Sequence, residues 1–372
     1  MRVLLWTELF WPSIGGIELF CMELVRILRK RGHEFAIITS QSGPGLPAAD
    51  SFEDTPVYRF PFHPALSRKN LSEMVAINGR ISAVKKSFRP EIVHLNTVQP
   101  SVFFHLKTKP ASNAPSMLTV HTVLPPDLEN AGLLGALLRD VDFVTSDSAA
   151  VLDSIVRIAP ETAAKGSVIP LGVVPPALRP QPLPFDPPRI LCVGRLVAGK
   201  GFDLVIDAYP AVAARFPGVE LVIAGDGPER GGLEKRAGGK ARFTGWVEPG
   251  EVAGLINTAT VVVVPSRETE SFGLVAVQAG QMGRPVVASD LGGLREVIVN
   301  GMTGILLSDP DGAALASVLV RLLSHPEEAR KLGEAALRRA RKDLTMDRCA
   351  DSFERLYRRL ARDRALRKGG RS

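Results

Sequence analysis

The chain reads as an α/β protein built from two doubly wound, Rossmann-like domains, each a largely parallel sheet carrying helices on both faces. Three observations predict this. At 372 residues the chain exceeds the size at which one core keeps growing. Short β-branched runs alternate with helix-length amphipathic segments from end to end. A proline-rich interruption divides the runs into two equal sets.

The first set reads VLLW, FAIIT, VYRF, IVHL, SMLTVH and FVTS, and the second RILCVG, ELVIAG, ARFTG, TVVVVP, PVVAS and TGILL. Between them, residues 175–188 hold seven prolines in fourteen positions without apolar periodicity, which predicts a linker. The expected plan is an N-terminal domain at 1–172, a linker at 173–188, a C-terminal domain at 189–345 and a basic terminal helix at 346–372. Ligands of such sheets bind at the carboxyl ends of the strands, which predicts a functional cleft between the two domains.

Composition excludes several classes. Hydrophobic residues make up 45% and charged residues 23%, the balance of a globular protein and not of a disordered one. Glu8 interrupts the opening apolar run, so residues 2–7 are expected to form a buried strand and not a signal peptide. No run approaches the 18 apolar residues of a membrane span, and a cytoplasmic protein is expected. Cys21, Cys192 and Cys349 lack metal or redox spacing and read as buried thiols. Of the net +7 charge, residues 335–372 carry 13 Lys/Arg against 5 Asp/Glu, so the excess sits in the tail.

Candidate chemistry collects where strands run into helices. Gly15-Gly16 follows the first strand and opens a helix, which suits either a plain turn or the approach of an anion. In LCVGRLVAGKGF, Gly194, Arg195 and Lys200-Gly201 place two cations and two glycines ahead of a helix, an arrangement that suits a diphosphate better than solvent. Gly225-Asp226-Gly227-Pro228 is a strong turn sequence, and Gly227 also allows a donor to pass closely. In VVVVPSRETESFGLV a buried strand leads through Glu270 to a helix start at Phe272, Gly273 and Leu274, leaving amide groups unpaired. Glu270 caps that helix or bonds sugar hydroxyls. Gly292-Gly293 and Glu296 form a further glycine turn.

Taken in order and spacing, Gly15-Gly16, VGRL with Lys200-Gly201, GDGP, ESFGLV with PVVAS, and the turn from Gly292 to Glu296 resemble the family-4 retaining glycosyltransferases of the two-domain GT-B architecture. The resemblance spans nearly the whole chain. It implies transfer of a hexosyl group from a nucleotide-diphosphate sugar, a UDP- or GDP-sugar, to a hydroxyl acceptor that is a glycan, lipid or small molecule of the cell envelope. By the resemblance Arg195 and Lys200 bind the diphosphate and stabilise the leaving group, and Glu270 contacts the donor sugar. The amides of Phe272, Gly273 and Leu274 would hold phosphate or sugar oxygens. His121, ending SMLTVH, matches a histidine near the donor sugar, whereas the bare sequence without that resemblance favours a strand-end packing role. Retention by front-face attack is implied as well, with no covalent nucleophile identified.

Two positions depart from the family. Gln278 stands where a ribose-binding glutamate is usual, and it keeps hydrogen bonding while losing charge. Leu171 replaces an asparagine. No Asp-x-Asp motif at a strand end offers a metal site, so no metal or other cofactor is expected, and cations with helix termini would do a metal's work. Base recognition is expected near Gly245 to Val247.

The basic stretch 63–90, with Arg68, Lys69, Arg80, Lys85, Lys86 and Arg89, reads as a helix packed on the sheet or as one resting on anionic membrane. The C-terminal segment, with Phe353, Leu356, Leu360 and Leu366, reads as packing on the body, with residues 364–372 as a surface-binding tail. No nucleic-acid-binding signature accompanies the basic charge. A sugar-nucleotide sensor and an epimerase on the same scaffold are the alternatives, with a basic nucleic-acid-binding protein behind them.

Overall fold

The computed structural model describes residues 1–43, 45–125 and 132–369, with side chains described to 366. Two compact units form, one from Met1–Gly172 together with the segment from Met346 onward, the other from Val173–Thr345.

The first unit runs β1 (Arg2–Trp6), α1 (Gly16–Lys30), β2 (Glu34–Ser40), β3 (Ala49–Phe52), β4 (Thr55–Phe60), α2 (Phe62–Ser67), α3 (Leu71–Phe88), β5 (Ile92–Leu95), α4 (Val102–Lys107), β6 (Ser116–Val120), α5 (Gly132–Asp140), β7 (Phe143–Ser146), α6 (Ala149–Ile158) and β8 (Gly166–Val168). Its sheet has the order β3-β4-β2-β1-β5-β6-β7-β8, parallel throughout except for the β3–β4 hairpin. The central strands are buried on both faces and are mostly apolar, with His94 of β5 and Thr119 of β6 as buried polar members, whereas β3 and β8 are polar edges paired on one side only. Trp6, Phe60 and Phe104 pack around the Phe62 ring, with centroid separations of 5.0–5.5 Å.

The second unit runs β9 (Arg189–Val193), α7 (Phe202–Arg215), β10 (Glu220–Ala224), α8 (Arg230–Ala237), β11 (Arg242–Gly245), α9 (Pro249–Asn257), β12 (Val261–Val264), α10 (Leu274–Gln281), β13 (Val286–Ser289), α11 (Leu294–Val297), β14 (Ile305–Leu307), α12 (Gly312–Ser324) and α13 (Pro326–Asp343). All six strands are parallel in the order β11-β10-β9-β12-β13-β14. Its core joins Ile190, Cys192, Ile223, Val261 and Val263 to helix residues such as Val205, Val212, Leu315 and Leu319.

Three expectations change. The proline-rich segment is no free linker. It folds onto the second unit, where the buried Arg284 guanidinium donates to the Gln181 carbonyl at 2.7 Å and Asn257 bonds both the Arg179 carbonyl and the Gln181 amide. The basic stretch 63–90 is two helices, α2 and α3. Lys85 is not on a charged face but 1% exposed, donating to the Thr108 carbonyl and hydroxyl at 3.2 and 3.0 Å, because its position continues the inward stripe of Ile77, Ile81 and Val84.

The chain re-enters the first unit as α14 (Met346–Gly369), which packs on α1 and β5. Phe353, Leu356, Tyr357 and Leu360 are buried, while Leu366 is 69% exposed, so the apolar stripe ends before it. Residues 370–372 of the expected tail lie outside the described residues. Burial of each large side chain along this stripe contributes about 2 kcal/mol. Tyr357 adds a buried hydrogen bond, its hydroxyl 2.7 Å from His94 Nδ1, and His94 Nε2 lies 2.7 Å from Thr119 Oγ1. Burial, assisted by the neighbouring His121, pushes the His94 imidazole down to about 3, so it stays neutral. At the other end Arg31 bonds Asp351 at 2.6 Å and Glu354 at 3.1 Å. All three cysteines are free and buried.

Candidate active site

In the second sheet β9 and β12 flank the point where strand order reverses, the place where open α/β sheets receive ligands. The segments leaving these two strands carry the residues singled out from the sequence. Leaving β9, the chain passes Gly194 and Arg195 and makes a tight turn through Lys200 to Gly201. Gly201 has φ +64°, and a Cβ there would stand 2.1 Å from the Pro265 carbonyl oxygen, so only glycine permits this approach. The turn is strapped to the segment after β12 by Arg267 N–H donating to the Gly199 carbonyl at 2.8 Å.

The strap brings Lys200 to Glu270 across 70 residues of sequence. Lys200 Nζ donates to Glu270 Oε1 at 2.5 Å, and Ser266 Oγ donates to the same oxygen at 2.6 Å. Glu270 Oε2 accepts from no described residue. The side chains are 34% and 15% exposed, so the pair is partly screened by water but fixed in place. Glu270 is therefore not the helix cap. The N-cap of α10 is Gly273, at φ +100° and without a side-chain cap. Among the described residues the amides of Phe272, Gly273 and Leu274 donate to nothing, so the helix start presents bare N–H groups and the positive end of its dipole. Gly292, at φ +51°, closes the other side: its Cβ would lie 2.2 Å from the Glu270 carbonyl oxygen, and Gly293 N–H donates to that oxygen at 2.8 Å.

Arg195 is exposed, and its guanidinium bonds no described residue. Gln278 lies on the second turn of α10, half-buried and without a described side-chain partner. Gly227 serves its own chain, since the space where its Cβ would stand is filled by the Leu196 backbone, 2.3 Å from the carbonyl oxygen. The structure thus joins Lys200, Glu270, Gly273 and Gly292, with Ser266 as a member that sequence reasoning missed. The available signal was the serine four residues ahead of Glu270 at the end of a buried strand.

The remaining candidates lie in the first unit. Gly15 is the N-cap of α1 and Gly16 its first residue, again without a side-chain cap. His121 follows β6, and its Nδ1 lies 2.9 Å from both Asp147 carboxylate oxygens while its Nε2 lies 2.9 Å from Asn96 Oδ1. The imidazole is 5% exposed, and both nitrogens have partners within the unit. Asp147 and Asn96 were not singled out from the sequence, although each directly follows a strand. Among the described residues no three His, Cys, Asp or Glu side chains converge as a metal ion would require. No described helix is long and apolar enough to cross a membrane.

Comparison with known proteins identifies the family. The profile "Glycosyltransferase Family 4" matches residues 14–175, and "Glycosyl transferases group 1" matches residues 187–325. The chain is 30% identical to glycogen synthase of Mycobacterium tuberculosis over 73% of this chain and 69% of that one. It is 31% identical to phosphatidyl-myo-inositol mannosyltransferase of Mycobacterium leprae, over 83% and 84% of the two chains. The fold matches that of Anabaena HepE, solved in complex with UDP-glucose, with a TM-score of 0.76 at 19% identity, covering 96% and 99% of the two chains. With both family profiles matched and relatives 30–31% identical over most of the two chains, the chain belongs to the family-4 glycosyltransferases.

Proposed function

We propose that this glycosyltransferase takes its sugar from a nucleotide-diphosphate donor held at the carboxyl edge of the second unit, and transfers it to a hydroxyl acceptor with retention and without a metal ion. The observation that carries the reading is the cluster of Lys200, Glu270 and Ser266 beside the uncapped start of α10. An ammonium has three N–H donors. One of Lys200's is spent on Glu270, which aims the group and leaves two for phosphate oxygens. Arg195 supplies a second cation, and the amides of Phe272, Gly273 and Leu274 complete a positive surface.

As the sugar departs, negative charge grows on the leaving phosphate, and fixed donors aimed there lower the barrier without reorganising. Glu270 Oε2 accepts hydrogen bonds from donor-sugar hydroxyls. Gln278 contacts the ribose with neutral hydrogen bonds, weaker than those of a carboxylate. The acceptor hydroxyl attacks from the face the phosphate leaves, and the phosphate takes its proton. UDP- and GDP-sugars are the first donors to test, and a cytoplasmic site of action at the inner face of an anionic membrane fits the basic segments.

Thermal shift against UDP-, GDP- and ADP-sugars tests the donor, because a true donor stabilises the folded chain. Product anomer analysis by NMR should give the donor's configuration, and turnover should persist in EDTA. No stabilisation by any nucleotide sugar, or strict dependence on added Mn²⁺ or Mg²⁺, overturns the reading.

A further inference from the structure

Glu8 stands two residues beyond the end of β1, and its carboxylate collects donors from three other segments at the carboxyl edge of the first sheet. Ser40 Oγ, ending β2, donates to Oε1. His63 Nε2, on α2, lies 2.7 Å from the same oxygen, and Ser101 Oγ, just ahead of α4, donates to Oε2 at 2.7 Å. β1 and β5 flank the point where strand order reverses in this sheet, so the cluster stands on its ligand-facing edge.

A carboxylate only accepts, so a hydrogen lies on His63 Nε2, and in the neutral imidazole Nδ1 is then the acceptor. No described residue bonds Nδ1, and the imidazole is 52% exposed, against 18% for the carboxylate that holds it. Tying the loops together needs only the two serines. The imidazole adds an oriented acceptor on an open ring. Leu9, Trp11 and Ile14 in the segment after Glu8, and Ile17 in the first turn of α1, are exposed by 36, 36, 63 and 39%, an apolar rim next to Glu8 in the chain.

We infer that His63 and Glu8 form an acceptor-recognition site for a polyhydroxylated ring, a sugar or a cyclitol. His63 Nδ1 accepts a hydrogen bond from one ring hydroxyl, Glu8 is the positioning residue that holds the tautomer, and the carbon face of the ring lies along the apolar rim. No bond forms or breaks in this recognition. Calling the ligand an acceptor rests on the transferase reading above.

The test uses full-length protein labelled with ¹⁵N-histidine, titrated with myo-inositol and with methyl α-D-glucopyranoside in the absence of donor. His63→Gln identifies the His63 signals. The expected result is a saturable movement of the His63 Nδ1 resonance while the buried His94 and His105 resonances stay in place. Glu8→Gln should mix the two His63 tautomers and weaken polyol binding about tenfold, the loss of one oriented hydrogen bond. The inference is overturned if neither polyol moves His63, if polyol affinity is unchanged in His63→Gln, or if Glu8→Gln lowers Tm while its polyol titration matches the unsubstituted protein. His63 is half exposed, so its variant reads the question even where Glu8→Gln does not fold. Stabilisation by nucleotide sugars with an unmoved His63 refutes this site alone. Movement of His63 without stabilisation by any nucleotide sugar refutes the donor reading alone.

Discussion

Replacing Lys200 by alanine separates a catalytic role from a structural one. The ammonium is 34% exposed and its partner 15%, so the ion pair is partly screened, and its loss should cost no more than about 1 kcal/mol of stability. For a unit of this size that corresponds to a fall in Tm of about 2–4 °C. On the proposed reading the same group faces, in the transition state, charge that develops only there. Loss of one fixed donor at such a position costs about 3–4 kcal/mol, roughly a hundred- to a thousandfold in kcat. The assay is release of nucleoside diphosphate from the donor that gives the largest thermal shift, run beside a melting curve. Lys200→Arg, which keeps the charge on a planar fork, should recover part of the rate. A Lys200→Ala enzyme whose kcat/KM stays within a few-fold of the unsubstituted protein, or falls only as far as its unfolded fraction explains, refutes the reasoning.

Three further outcomes follow from buried groups. Burial pushes the Lys85 ammonium down from 10.5 to about 7, with repulsion from Lys109 adding to the effect and Asp140 opposing it. The unfolded chain then binds the extra proton between these values, so stability rises with pH across that window, by up to about 1.4 kcal/mol per pH unit, while the full cost of burying the charge applies below about pH 7. Urea midpoints compared at about pH 7 and about pH 9 should show this rise in the unsubstituted protein and its loss in Lys85→Met; parallel curves would rule it out. Gly201→Ala forces a Cβ against the Pro265 carbonyl at a left-handed φ, and should cost about 2–4 kcal/mol in denaturant unfolding together with donor stabilisation, whereas a cost under about 0.5 kcal/mol would mean the strap yields. Tyr357→Phe leaves His94 Nδ1 buried without its partner and should cost about 1–3 kcal/mol, measured in the same way; a neutral result would show the bond carries no net weight.

The interior strands were legible because strands buried on both faces are mostly apolar, as in VVVV of β12 and FAII within β2. The edges β3, ADSF, and β8, GSV, were not legible, since a strand paired on one side needs neither length nor apolarity. Lys85 escaped notice because its long stem fits the inward stripe of α3, and only tertiary packing supplies the Thr108 oxygens. In the site, the positions of Lys200 and Glu270 at strand ends could be read from turn chemistry. Their hydrogen bond could not, because it depends on a glycine contact between two loops far apart in sequence. The cluster at Glu8 was hidden for a related reason: its four members come from four separate segments, and the sequence alone shows Glu8 only as a break in an apolar run.

The placement of α14 on the first unit bears on how the chain is made. A ribosome releases residues 1–172 first, but the helix that covers α1 and β5 emerges only after the entire second unit. During that interval His94 lacks its phenol, and the surface that will meet Phe353, Leu356 and Tyr357 stays open to solvent. The second unit, which is continuous in sequence, can close as soon as residue 345 is free. Synthesis therefore runs against the order of the chain: the unit begun first is completed after the other, and its final covering depends on the segment from Met346 onward.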